Sequence, residues 1–226
     1  METKRFVIFT GLWPESAKLP DPEPGDFIAC ADGGYAVCKS FGIRPDVVIG
    51  DFDSLSDSLV SEIDILGIER IKHPREKDDT DTMLCAKYGI AKGFDNFLII
   101  GGIGGDFGHT MANIQTLSFL IDMECSAELV TGNERLFFAD GETMILHRES
   151  KPAVPAEFAG SPGSKFSVLS YTERSSGVRV KNAKYELEDA VLTQSYPIGV
   201  GNEIINTDPV IVSVRYGRLL IITNID

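Results

Sequence analysis

Histidine is scarce in this 226-residue chain, with three in all (His73, His109, His147), and cysteine occurs only at Cys30, Cys38, Cys85 and Cys125. No two cysteines form a C-x-x-C pair and no histidine stands at ligand spacing from one, so zinc is disfavoured and the cysteines read as buried free thiols. Positive charge is also short: 21 Lys and Arg against 34 Asp and Glu leave a formal net charge of −13. Nucleic acid and anionic membrane surfaces require a basic footprint, so neither is expected as a partner. No apolar run approaches the roughly 20 residues that cross a bilayer, and the opening METKRFVIFTGL has too short an apolar core for a signal peptide. The expectation is a cytoplasmic protein. A hydrophobic content of 43% with 24% charged residues suits an ordinary folded chain rather than a disordered one.

What the chain does contain is alternation. Through about residue 130, apolar β-rich runs such as RFVIFTG, DFIACADGG, VVIGDFDS and NFLIIGG are separated by helical patterns near residues 35–42, 56–66, 80–92 and 109–122. Strand, helix, strand repetition implies parallel strands joined by crossover helices. After Gly132 helical periodicity stops and short alternating runs follow one another, among them RLFFAD, TMILHRE, KFSVLSYT, PVIVSVRYG and RLLIITNI. That texture predicts an antiparallel sandwich or barrel. The expected fold is an open, mostly parallel α/β sheet domain over residues 1–132, followed by an antiparallel β-sandwich domain over 133–226. The Pro, Gly and Ser-rich stretch 150–165 reads as a surface loop between two strands.

Three polar clusters fall where a strand has just ended: Asp32-Gly33-Gly34, Asp51-Phe52-Asp53-Ser54 and the glycine run after FLII. Ligands of open α/β sheets bind beyond the carboxyl ends of the strands, so the three should share one crevice. A fourth group is REKDDTDTM, residues 75–83, just ahead of the apolar pattern MLCAKYGIA. Helix capping and the helix dipole account for one or two acids there, but not for three. Asp78 and Asp81, three residues apart, project to the same side if the segment begins to coil, whereas Asp79 would point elsewhere. Asp51, Asp53, Asp78 and Asp81 facing one pocket would repel one another unless a cation joined them, and oxygen ligands alone favour Mg²⁺ shared with substrate phosphates. Lys77 is placed to touch a phosphate oxygen.

In GGIGGDFGHTMAN, residues 101–113, five glycines in eight residues let backbone N–H groups approach a ligand closely, and the helix start that follows suits an anion. The run is neither a Rossmann fingerprint, since Phe107 stands where a third glycine belongs, nor a P-loop, since no G-K-[ST] closes it. His109 and Asn113 lie one helical turn apart, where both can face the crevice.

Taken in order, ADGG, RPDVVIGDFDSL, KDDTD and GGIGG followed by His109 and Asn113 resemble the thiamine pyrophosphokinase family over nearly the whole chain. The resemblance implies an α/β domain followed by a β-sandwich, and transfer of the pyrophosphoryl group of ATP to the hydroxyl of thiamine with Mg²⁺, releasing AMP. It implies Asp51, Asp53 and Asp81 as metal ligands with Asp78 beside them, and Gly104, Gly105, His109, Asn113, Asp32 and Gly33 around the nucleotide. Asn202, in GVGNEI, is implied as a thiamine contact, with Gly201 where the family carries serine. The family's arginine and aspartate of G-G-R-x-D-H are replaced here by Asp106 and Gly108. A homodimer, with thiamine between the α/β domain of one chain and the sandwich of the other, is also implied. Two rival readings stand beside this one. GDFDSL resembles the opening D-x-D-x-T of haloacid-dehalogenase-like phosphohydrolases, with Leu55 in place of the threonine, and a non-catalytic nucleotide-sensing module would also account for the departures.

Overall fold

Residues 6–9, FVIF, are buried at every position, as in a strand covered on both faces by helices. This strand, β1 (Phe6–Phe9), is the centre of the first unit in a computed structural model that describes residues 4–13, 22–76, 78–141 and 155–224. Lys77 and the strand expected over TMILHRE lie outside the described residues. The chain divides into two compact units, residues 1–132 and 133–226.

In the first unit β1 pairs in parallel with β2 (Phe27–Ala31) on one side and β5 (Asn96–Ile100) on the other. β3 (Val47–Gly50) and β4 (Glu69–Lys72) continue outward from β2, and β6 (Ser126–Val130) from β5, all parallel. Strand order therefore reverses between β1 and β5, the position at which the loops after neighbouring strands diverge and leave a crevice. Helices α1 (Gly34–Ser40), α2 (Asp57–Ile65), α3 (Asp81–Ala91) and α4 (Phe107–Asp122) make the crossovers. Val7 and Phe9 point to one face, where they join Tyr35, Cys38 and Ile63 in a buried cluster. Phe6 points to the other, packed among Phe27, Phe94 and Phe97 with ring centroids 5.2–5.6 Å apart. A fully buried side chain such as Phe6 or Phe97 contributes about 2 kcal/mol of hydrophobic stabilisation. All four cysteines are free and buried, and burial pushes the Cys30 and Cys85 thiols well above their ordinary range.

The second unit consists of two antiparallel sheets. One contains β7 (Glu134–Asp140), β14 (Arg218–Asn224), β9 (Lys165–Ser170) and β12 (Asn202–Glu203); the other has the order β11 (Leu187–Thr193), β10 (Arg174–Lys181), β13 (Val210–Ser213), β8 (Ala156–Phe158). Phe158, Phe166, Val180, Val212 and Leu219 belong to the core. The stretch 150–165 is not simply a surface loop, because β8 lies within it and pairs with β13. Three residues are too few to display alternation, and burial of Phe158 rather than periodicity fixes that strand. Arg218 and Asp140 face each other across β14 and β7 in a bidentate pair at 2.9 and 3.1 Å. No helix among the described residues is long and apolar enough to cross a membrane.

Candidate active site

Each strand around the switch point hands its chain to the crevice at its carboxyl end: β1 into Thr10, β2 into Asp32, β3 into Asp51 and β5 into Gly101. The crevice is a cavity of about 760 Å³, a size suited to a drug- or nucleotide-sized molecule.

Asp51 and Asp53 enter it through an unusual backbone. Phe52, between them, has φ +67°, a conformation that a bulky residue adopts only under tertiary constraint, at a cost of about 1–3 kcal/mol. The constraint is visible: the Phe52 ring is buried in the core beneath the Arg70 guanidinium, 5.3 Å from its centroid. With the ring turned inward, the two flanking carboxylates are delivered to the cavity. The Asp51 carboxylate accepts from the Asp53 amide at 3.1 Å, closing a tight Asx-type turn.

Asp32 also has positive φ, at +41°. It is buried, and its Oδ2 accepts from the Ser54 amide at 3.3 Å, tying the end of β2 to the turn after β3. Its Oδ1 is buried and accepts no hydrogen bond. Carboxylate oxygens of Asp32, Asp51 and Asp53 all lie within 4.8 Å of one another. An unsatisfied buried carboxylate oxygen beside two further carboxylates is costly without a positive partner, and a set of hard oxygen donors suits a divalent cation such as Mg²⁺. The residues present therefore fit a metal ion. Gly50 is what permits this closeness, since a Cβ there would stand 2.8 Å from the Asp32 side chain.

Asp78, Asp79 and Asp81 line the same cavity, although Asp81 is not part of the compact trio. The helix cap is Thr80, whose hydroxyl accepts from the Met83 amide, so Asp78 precedes the helix and Asp81 begins it. Asp79 also reaches the cavity wall, where Lys87 donates to both of its oxygens at 2.8 and 2.6 Å.

The glycine run forms the remaining wall. Gly102, Gly104 and Gly105 all have positive φ, and a Cβ on Gly102 would meet the Asn113 amide nitrogen at 2.4 Å. Two side chains of α4 hold this loop. Buried Asn113 donates to the Gly102 carbonyl at 2.8 Å, and the Thr110 hydroxyl meets both the amide and the carbonyl of Gly104. Thr110 escaped the sequence reading because a threonine one turn into a helix carries no signal of its own. His109 is exposed on the cavity wall, and its amide donates to Asp106, the N-cap of α4. Gly33 borders the same cavity.

Comparison with known proteins adds independent findings. Residues 23–129 match the family described as "Thiamin pyrophosphokinase, catalytic domain", and residues 154–219 match "Thiamin pyrophosphokinase, vitamin B1 binding domain". The chain belongs to the thiamine pyrophosphokinase family. It is 25% identical over 177 residues to the thiamine pyrophosphokinase of Bacillus subtilis, covering 78% of this chain and 77% of that protein. Identity is also 25% over 181 residues to thiamin pyrophosphokinase 1 of Caenorhabditis elegans, covering 74% of this chain and 65% of that one. The fold agrees with the crystal structure of the Bacillus subtilis enzyme at a TM-score of 0.83 and 20% identity, over 99% of this chain and all of the other. It agrees with thiamin pyrophosphokinase from Candida albicans at 0.76 and 16% identity, over 100% and 90%.

Asn202, which the resemblance to thiamine pyrophosphokinases brings into the site, lies in the second unit and is buried. Its amide oxygen accepts from the Tyr185 and Glu203 amides at 3.0 and 2.8 Å, and its nitrogen donates to the Tyr185 carbonyl at 2.8 Å. It thus locks the β10–β11 turn to β12, leaving Tyr185 exposed. Gly201 is exposed with φ +78°, and open space surrounds its missing Cβ. Lys165 and Lys184 both pair with Glu203 and hold its carboxyl below the ordinary glutamate range.

Proposed function

We propose that the crevice of the first unit transfers the pyrophosphoryl group of ATP to the hydroxyl of thiamine, giving thiamine diphosphate and AMP. One observation carries this reading: in a chain matching both thiamine pyrophosphokinase domains, three carboxylates from two strand ends converge in a nucleotide-sized cavity, with the buried Asp32 Oδ1 accepting no hydrogen bond. The same family matches support pyrophosphoryl transfer over the phosphohydrolase and nucleotide-sensing alternatives.

Asp32, Asp51 and Asp53 are the residues that would hold Mg²⁺, with Asp81 and Asp78 beside them. Bound there, the cation would neutralise charge on the phosphate oxygens. The chain's own residues do the rest. In the Gly102–Gly105 loop, fixed by Asn113 and Thr110, the Gly102 and Gly104 amides donate to the Leu12 carbonyl and the Thr110 hydroxyl, so the Ile103 and Gly105 amides are the close donors offered to phosphate oxygens, and His109 and Gly33 border the nucleotide. The thiamine oxygen attacks the β-phosphorus, the bond from that phosphorus to the bridging oxygen breaks, and AMP departs with that oxygen. The hydroxyl proton passes to Asp78, an exposed carboxylate on the cavity wall. In the second unit, Asn202 serves thiamine through the turn it holds at Tyr185.

The assembly we propose is a cytoplasmic homodimer. Exposed Tyr196, Ile198 and Val200 give the sandwich apolar surface that a second copy would cover, and light scattering should return twice the 24.7 kDa chain mass.

The test is incubation with thiamine, Mg²⁺ and each nucleoside triphosphate in turn. Thiamine diphosphate appearing together with the nucleoside monophosphate supports the reading. Release of inorganic phosphate through a covalent phosphate on Asp51 would contradict it.

A further inference from the structure

Among the described residues the cavity is short of cations. Asp32, Asp51, Asp53, Asp78, Asp81 and Asp106 are all on its wall, and among the described lining residues Arg75 is the only arginine or lysine. The positive pole of α4, which would otherwise face an anion, is answered by the Asp106 carboxylate capping the helix. A triphosphate carrying one divalent cation remains an anion and would meet mostly like charge.

Arg75 has one described ionic contact: its Nε lies 3.2 Å from Asp53 Oδ2, with the arginine side chain 82% exposed and the aspartate 45%. An ion pair that open to solvent is weak and easily exchanged. Asp53 is also in the carboxylate trio, so a cation taking Asp53 competes directly with the guanidinium. Once displaced, the guanidinium remains at the rim of the cavity, and its planar fork of donors matches phosphate oxygens.

We propose that Arg75 is an exchangeable counter-ion. It neutralises Asp53 before the metal–nucleotide complex arrives, yields Asp53 to the cation, and then binds the phosphates of the nucleotide. The inference rests on the nucleotide-binding reading of this site, but not on the identity of the acceptor.

Two opposite effects test it in the full-length protein. Arg75→Ala should weaken binding of the Mg²⁺ complex of a non-hydrolysable ATP analogue about tenfold, the typical loss of a charge-assisted hydrogen bond, with Arg75→Lys recovering part of it. Without nucleotide, Arg75→Ala should bind Mn²⁺ alone about threefold more tightly, because a weak surface competitor for Asp53 has gone. Unchanged analogue affinity, or Mn²⁺ binding that is unchanged or weaker, would overturn the proposal. Both readouts are equilibrium titrations, so they decide the role of Arg75 even if the wild-type chain makes no thiamine diphosphate.

Discussion

The two units differ at the ends of β2 and β3; elsewhere the α/β unit satisfies its charges as the sandwich does, Arg5 meeting Asp26 through two hydrogen bonds. In the sandwich, Arg218 meets Asp140 through two hydrogen bonds, Ser175 bonds to both Ser170 and the Arg218 carbonyl, and Asn202 engages three backbone groups. In the α/β unit, Asp32 leaves a buried oxygen unsatisfied and Phe52 is held in a left-handed conformation. Satisfied networks stabilise a fold, while unsatisfied carboxylates and backbone strain cost stability and persist where a ligand completes them. The contrast is the one expected under the proposed function, in which the first unit carries the chemistry.

Three substitutions sharpen that contrast, in falling order of effect. Asp51→Asn should lower turnover at least about 100-fold, the scale of losing a group aimed at transition-state charge, while thermal stability holds or rises because one of three crowded negative charges is gone. A mutant with near-normal AMP release would break the distinction. Arg218→Ala should do the reverse and destabilise the chain by about 3 kcal/mol, since it strands a partly buried Asp140. Chemical denaturation reads this directly, and a loss below about 0.5 kcal/mol would show that the sandwich does not depend on the pair. Asn202→Ala should cost about 2 kcal/mol from unpaired backbone groups and raise the KM for thiamine more than that for ATP. An altered thiamine KM at unchanged stability would make Asn202 a direct ligand contact instead of a holder of the Tyr185 turn.

Much of this was legible in the sequence, for physical reasons. Parallel strands buried on both faces leave near-continuous apolar runs, so VVIG and FLII announced themselves, and the clusters after them were located by the rule that such strands open onto a crevice. The membership of the carboxylate trio was less legible. Asp32 joins Asp51 and Asp53 through the lateral pairing of β2 with β3 and through the inverted backbone at Phe52, neither of which leaves a periodic trace. The helix cap at Thr80 rather than at an aspartate depends on a backbone angle no composition reveals. β8 was hidden because three residues among prolines and glycines carry no alternation. Arg75 was invisible for a different reason: an exposed arginine has meaning only beside the carboxylates that surround it.

Under the proposed function, acids brought together from separate strand ends grip one divalent cation. The most direct test of this is Mn²⁺ titration, followed by electron paramagnetic resonance, of the wild-type chain and Asp51→Asn, each with a non-hydrolysable ATP analogue. The wild type should show a Mn²⁺ site, tightened by the nucleotide, that is lost in the folded mutant. Equal Mn²⁺ binding by both proteins would contradict this.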